Sequence, residues 1–162
     1  MKKRILLPLL TVIVMVVGCS STPKPIAWNV IIKKETPASI EADLLGVANE
    51  SEEKKCEALT WDKYWSPDSP FRKDAEKLHN RLTHFLDEKN DWVITVGDAQ
   101  WKTWMDRGVY ELYLMARLPS PATDMSWRIP IKLYKGVWET KDKTLVIKIV
   151  DSEISIQTKA KR

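Results

Sequence analysis

The sequence predicts a mainly β protein, an antiparallel β-sandwich carrying one to three short helices. Three observations lead there. Apolar residues alternate with period two in several separate stretches, the chain from Val109 onward reads as four consecutive strands, and only two stretches show clear helical spacing. One-sided alternation of this kind belongs to antiparallel sheets with one packed face and one wet face. The same pattern permits an alternative, an α+β arrangement in which helices cover an antiparallel sheet.

The elements follow in order. Trp28, Val30 and Ile32 share one face of a first strand, and Ile40, Ala42 and Leu44 share one face of a second, with Ser39, Glu41 and Asp43 expected on its wet side. Glu50–Leu59 holds helix formers but only a weak apolar stripe. Ser69-Pro70 opens a helix, because serine caps and proline suits the first helical position. Phe71, Ala75, Leu78, Leu82 and Phe85 continue at helical spacing, although Leu82–Leu86 reads equally well as a strand. Trp92–Val96 is a further short strand. Asp98 caps a helix in which Trp101, Trp104 and Met105 share a face, and Gly108 closes it. The even positions Tyr110 to Leu118 are apolar, and Trp127, Ile129, Ile131 and Leu133 alternate with Arg128, Pro130 and Lys132. Pro130 cannot donate to a ladder and belongs at an edge or a bulge. Leu145, Ile147 and Ile149, then Ile154 and Ile156, complete the strands.

A chain of 162 residues suits one domain with a substantial core. Its two cysteines exclude a disulfide-built miniprotein and a four-cysteine metal site. The net charge of +4 invites a nucleic-acid partner, but Lys2, Lys3 and Arg4 lie in an acid-free N-terminus, and without them 23 bases face 22 acids. Lys159, Lys161 and Arg162 crowd the last four positions. No basic block remains to neutralise a phosphate backbone, so no nucleic-acid partner is expected.

The basic start is followed by the apolar run Ile5–Val17, short of the roughly 20 residues a helix needs to cross a bilayer and matching a secretory h-region. Val16-Val17-Gly18-Cys19 resembles the lipobox of bacterial lipoproteins. That resemblance implies cleavage before Cys19, a thioether-linked diacylglycerol on its sulfur and an acylated new amine. Each buried methylene contributes about 0.8 kcal/mol, so two or three chains hold a protein on a bilayer. Ser20 stands where an aspartate would imply retention at the inner membrane, so the resemblance implies the outer membrane, with the domain facing the periplasm. The expected organisation is a signal peptide over 1–18, an acylated Cys and Pro-containing linker over 19–25, one globular domain over 26–158 and a basic tail over 159–162.

Trp28, Trp101, Trp104 and Trp127 fall on apolar faces and read as core. The run Trp61-Asp62-Lys63-Tyr64-Trp65-Ser66-Pro67-Asp68-Ser69-Pro70 fits neither period. Trp61, Tyr64 and Trp65 are therefore candidate contact groups, stacking on a sugar or anchoring a protein interface, or else they pin a loop to the sheet. Pro119–Ser126 is longer than a tight hairpin needs and is stiffened by two prolines. It offers Asp124 and Met125 as partner contacts, or is a solvated connection. His79 and His84, five apart, share no face of a helix or strand and do not converge on a metal. Cys56 has Lys54 and Lys55 beside it to lower its pKa, but no base, and reads as an inert thiol. The adjacent carboxylates Glu52-Glu53 and Asp87-Glu88 point apart, and no phosphate loop, nucleophile elbow or zinc-protease motif is present. No catalytic residue, metal or cofactor is expected.

An acylated cysteine, a short proline linker, a β-rich domain and Trp127-Arg128 at a late strand start together resemble the small β-sandwich lipoproteins of type VI secretion systems. That family tethers an inner-membrane partner to the outer membrane. The Glu50–Asn90 segment departs from its pattern. The expected function is thus a non-enzymatic, membrane-anchored envelope lipoprotein that docks another envelope protein within a secretion system. The alternative is an envelope lipoprotein that binds carbohydrate or peptidoglycan through exposed aromatics.

Overall fold

The computed structural model describes residues 24–87 and 91–161. The 1–18 leader, Cys19 and the linker as far as Pro23 lie outside the described residues. Two four-stranded sheets pack face to face. One has the order β4 (Trp92–Ile94), β1 (Asn29–Lys34), β7 (Thr144–Ile149), β8 (Ile154–Ile156). The other runs β3 (Arg81–Leu86), β2 (Ile40–Val47), β5 (Glu111–Ala116), β6 (Arg128–Lys132). The β-sandwich is therefore as expected. Val30, Ile32, Leu145, Ile147 and Ile149 from the first sheet, with Ile40, Ala42, Leu44, Leu112, Leu114 and Ile131 from the second, are fully buried in the core. Pro130 lies on β6, the edge strand, where its missing N–H costs no ladder bond.

Two features differ from the sequence expectation, and a third settles an alternative it left open. The sandwich is mostly but not wholly antiparallel: β1 pairs parallel with β7, from Asn29 opposite Thr144 to Lys34 opposite Ile149. Residues 82–86 are strand, because their backbone completes the free edge of β2, with Leu82 opposite Leu44 and Leu86 opposite Ile40. The described residues also hold four helices instead of one to three: α1 (Glu50–Ala58), α2 (Trp61–Trp65), α3 (Pro70–Lys77) and α4 (Ala99–Asp106).

The helices have local causes. The Asn49 side chain accepts from the Glu52 N–H at 3.0 Å, while the Glu52 carboxylate accepts from the Ala48 N–H at 2.9 Å, so α1 starts on a reciprocal cap. Three acids in its first turn also suit the helix dipole. Ser69 caps α3 and Pro70 occupies its first turn. Asp98 precedes α4, but its carboxylate accepts from the Thr95 N–H at 2.6 Å and so closes the preceding turn instead of capping the helix. Gly108, at φ +74, then lets the chain turn out of α4 into β5.

The connection between β2 and β3, carrying α1 to α3, lies across the outer face of the second sheet. Asp43, Leu45 and Val47 of β2 and Glu111, Tyr113 and Met115 of β5 are accordingly buried, although they sit on the side opposite the sandwich core. The wet face expected for Asp43 is thus covered. On its other, core-facing side β2 is tight at Gly46, where a Cβ would lie 2.5 Å from Asn80 Oδ1 and 2.7 Å from Trp104 Cδ1. We expect Gly46→Ala to lose about 1–3 kcal/mol of stability through overpacking, measured by chemical denaturation, with an unchanged midpoint contradicting this close approach.

Candidate functional site

The sequence singled out two segments far apart in the chain, and the fold brings them to one place. Trp61 of α2 and the segment from Leu118 to Trp127 line a surface cleft of about 450 Å³, with Pro119, Pro121 and Asp124 on its walls. The loop is held in shape from within. The Ser126 hydroxyl donates to the Thr123 carbonyl at 2.9 Å, and the Thr123 N–H donates to Ser126 Oγ at 3.1 Å. It is also fixed to the other sheet, since the Ala122 N–H donates to the Ser152 carbonyl (2.9 Å) and the Ile154 N–H to that of Ser126 (3.0 Å). Trp127 closes the cleft floor, fully buried, and its indole N–H donates to the Asp124 carbonyl at 2.8 Å. Met125 stands 57% exposed beside it.

The candidate contact residues separate here. Trp61, Asp124 and Met125 reach the cleft or its rim. Tyr64 and Trp65 do not, because both turn inward from the single turn of α2 and are buried. Their rings meet edge to face at 4.9 Å, and Tyr64 lies 5.6 Å from Trp127. These two aromatics anchor α2 to the sheet, which removes them as surfaces for a ligand.

Beneath α2 and α3 lies a polar knot that sequence reasoning missed. Asp43, wholly buried, accepts from Tyr64 Oη at 2.7 Å, Thr83 Oγ1 at 2.5 Å, Arg72 Nε at 2.9 Å and Arg81 Nη1 at 3.2 Å. Arg72 also pairs with Glu41, and its guanidinium stacks 4.7 Å over the Trp65 ring. Burial, reinforced by the neighbouring Asp43 charge, holds the Tyr64 hydroxyl well above the usual phenol range, so it remains a donor. Arg128 ties the other end. Its Nη1 donates to the Cys56 carbonyl (2.7 Å) and to that of Leu59, while Nη2 donates to the Glu57 carbonyl (2.6 Å) and Met125 Sδ (2.9 Å). One buried guanidinium therefore satisfies the C-terminal carbonyls of α1 and holds Met125 at the cleft.

The remaining candidates sit apart from the cleft. Cys56 is buried under α1, and burial, then the Glu52 charge, pushes its thiol up to about 12. Lys54 does not lower it, because that side chain is exposed and paired with Glu50. His79 is exposed at the turn after α3, and His84 stacks at 5.2 Å on Trp92. Among the described residues no group of three or more His, Cys, Asp or Glu side chains is placed to hold a metal ion. Trp138 is buried, with its indole N–H on the Lys132 carbonyl at 2.7 Å. Trp28, Trp101, Trp104 and Trp127 lie in the core as expected.

No family model and no curated protein sequence matches the chain. Solved structures do share its fold. A chain from a structure of the C-terminal domain of the type VI secretion protein TssM from EAEC aligns with a TM-score of 0.55 and 7% identity, over 80% of this chain and 99% of that one. A chain of a type VI membrane complex aligns with a TM-score of 0.53 and 8% identity, over 83% and 98% respectively. Serratia marcescens Lip, a membrane-bound component of the type VI secretion system, aligns with a TM-score of 0.46 and 12% identity, over 86% and 100%. At such identities the likeness to the first two is one of fold.

Proposed function

We propose that this chain is a lipid-anchored envelope protein, acylated at Cys19, that docks another envelope protein through the cleft between Trp61 and the 118–127 loop and so serves as a non-enzymatic assembly subunit of a secretion system. The observation that carries the reading is that two segments remote in sequence converge on one prestiffened, aromatic- and proline-lined surface. A loop already fixed by its own hydrogen bonds loses little entropy on binding. The fold shared with chains from type VI structures supports the choice of system, and the lipobox-like residues support an outer-membrane anchor facing the periplasm. The glycan reading keeps only one of its three aromatic surfaces, because Tyr64 and Trp65 are buried.

The test is purification of the full-length protein from its native envelope in mild detergent, with crosslinking and mass spectrometry. We expect acyl chains on Cys19 and a stoichiometric protein crosslinked near Trp61 or residues 118–127. Trp61→Ala and Asp124→Arg should each weaken that association by roughly thirtyfold, the loss of a central anchor of about 2 kcal/mol, while the domain stays folded. Association unchanged in both variants, or a co-purifying glycan with no protein, overturns the docking reading. An unmodified Cys19 overturns the anchor.

A further inference from the structure

Six lysines scattered through the sequence meet at one end of the sandwich. The 159–161 tail folds back along the segment after β6. The Glu139 N–H donates to the Lys159 carbonyl and the Lys161 N–H to that of Val137, each at 2.8 Å, with Trp138 opposite Ala160. Trp138 is buried, so its side of this pairing faces inward and Lys159 and Lys161 face outward. Pro25 bridges Tyr134, which sets Lys24 beside Lys135. The Asn29 N–H donates to the carbonyl of Lys143, two residues after Lys141, and so draws that turn to the same end. All six lysines are exposed, and among the described residues none forms an ion pair, whereas exposed lysines elsewhere, such as Lys54, Lys73 and Lys102, do. The acids in these segments are Glu139 and Asp142, and Asp142 already accepts from the Thr140 hydroxyl at 2.6 Å. This end lies at the start of the domain and away from the docking cleft. Lys132 and Thr144 bound it on β6 and β7, while Arg128 and Ile149 lie toward the cleft, roughly 15–20 Å along the strands.

We infer that this lysine face rests on anionic phospholipid headgroups, a second membrane contact beside the acyl chains. The inference rests on the acylation of Cys19 proposed above. The six residues from Cys19 to Lys24 span at most about 20 Å when fully extended, so a lipid on Cys19 keeps Lys24 and the face around it close to the bilayer. An anionic leaflet attracts each lysine near its surface, and that attraction decays within a Debye length of about 8 Å at physiological salt. A short tether therefore lets several lysines act at once where a long one would leave them screened. With this face on the bilayer, the cleft between Trp61 and the 118–127 loop points away from it, toward a partner.

The test takes the mature acylated chain into vesicles of phosphatidylcholine, alone or with an equal part of phosphatidylglycerol, and reads amine labelling of each lysine by mass spectrometry. On the phosphatidylglycerol vesicles we expect labelling at Lys135, Lys141 and Lys159 to fall about fivefold relative to phosphatidylcholine, and to recover at high salt. Lys63 and Lys73, exposed on α2 and α3, should label equally on both. The combined variant Lys135→Glu, Lys141→Glu and Lys159→Glu changes exposed side chains without ion pairs and should keep the fold. It should abolish the protection of Lys143 and Lys161 while the acyl chains still hold the protein on both vesicles. Equal labelling on the two vesicles by a protein anchored to both overturns the lysine face and leaves the anchor standing, as does protection unchanged in the variant. A chain that floats with neither vesicle overturns the anchor, and the inference with it. Protection in native envelopes that neither vesicle reproduces assigns the face to an acidic protein and overturns the lipid contact.

Discussion

Asp43→Ala is expected to lower the unfolding free energy by about 3–5 kcal/mol, the usual consequence of removing one partner from a buried charge cluster. The carboxylate is wholly buried and accepts hydrogen bonds from four side chains, Tyr64, Arg72, Arg81 and Thr83. Its removal leaves the Tyr64 hydroxyl in a dry site with no acceptor. Arg72 keeps Glu41, and Arg81 keeps the exposed Glu76 as its one remaining carboxylate, with the Thr83 hydroxyl beside it. The loss should be regional before it is global. The sandwich core lies on the other face of β2 and does not use Asp43, whereas α2 and α3 are joined to the sheet through it. Hydrogen exchange should therefore rise first across residues 60–77, with β1 and β7 protected. Asp43→Asn, which keeps the volume and one acceptor, should fall between the parent and alanine. A loss below about 1 kcal/mol, or one spread evenly over both sheets, would show that the helices are held by their aromatics alone.

The second large effect is a pH dependence. Glu111, 2% exposed at the start of β5, has its carboxyl pushed up to about 7 by burial, with the charges of Glu53 and Glu57 adding and that of Lys132 opposing. In the unfolded chain the same carboxyl titrates near 4.5. Below that value both states hold the proton and the group is neutral to stability. As pH rises from about 4.5 to 7 the unfolded chain releases its proton while the folded one keeps it, so stability falls across that window and stays lower above it. At 1.36 kcal/mol per pKa unit the full effect is about 3 kcal/mol. Glu111→Gln should thus match the parent near pH 4.5 and exceed it by a few kcal/mol at pH 8, measured by denaturant titration at both values. Parallel pH profiles for the two proteins would remove Glu111 as the cause.

Much of the sandwich was legible because period-two alternation reports the face that packs on the opposite sheet. Val30 and Ile32, or Ile147 and Ile149, are buried as the pattern implies. The other face of β2 and β5 was not legible. Its cover is made by helices with little apolar signal of their own, α1 burying only Cys56. A charged residue such as Asp43 becomes a core residue only through arginines some 30 and 40 positions away, and no local rule marks them. The same holds for Arg128, whose acceptors lie about 70 residues back in the chain. In the candidate site, the aromatic run was visible but not its direction. One helical turn sends Trp61 to the cleft and Tyr64 and Trp65 inward, and spacing alone does not separate those outcomes. That the 119–126 loop lies beside Trp61 is a property of the tertiary fold.

The parallel pairing of β1 with β7 bears on when this protein becomes a protein. The first strand of the domain waits for a partner that is made after every strand of the other sheet, and its other neighbour, β4, is three residues long. Half of the sandwich therefore stays open until residues 144–149 are present, while β2, β3 and β5 are all available earlier. Non-local closure of this kind is slow, because loop entropy is lost before contacts offset it. If the chain is exported as proposed, it can thus remain an extended thread for the length of its passage and complete its fold only on arrival.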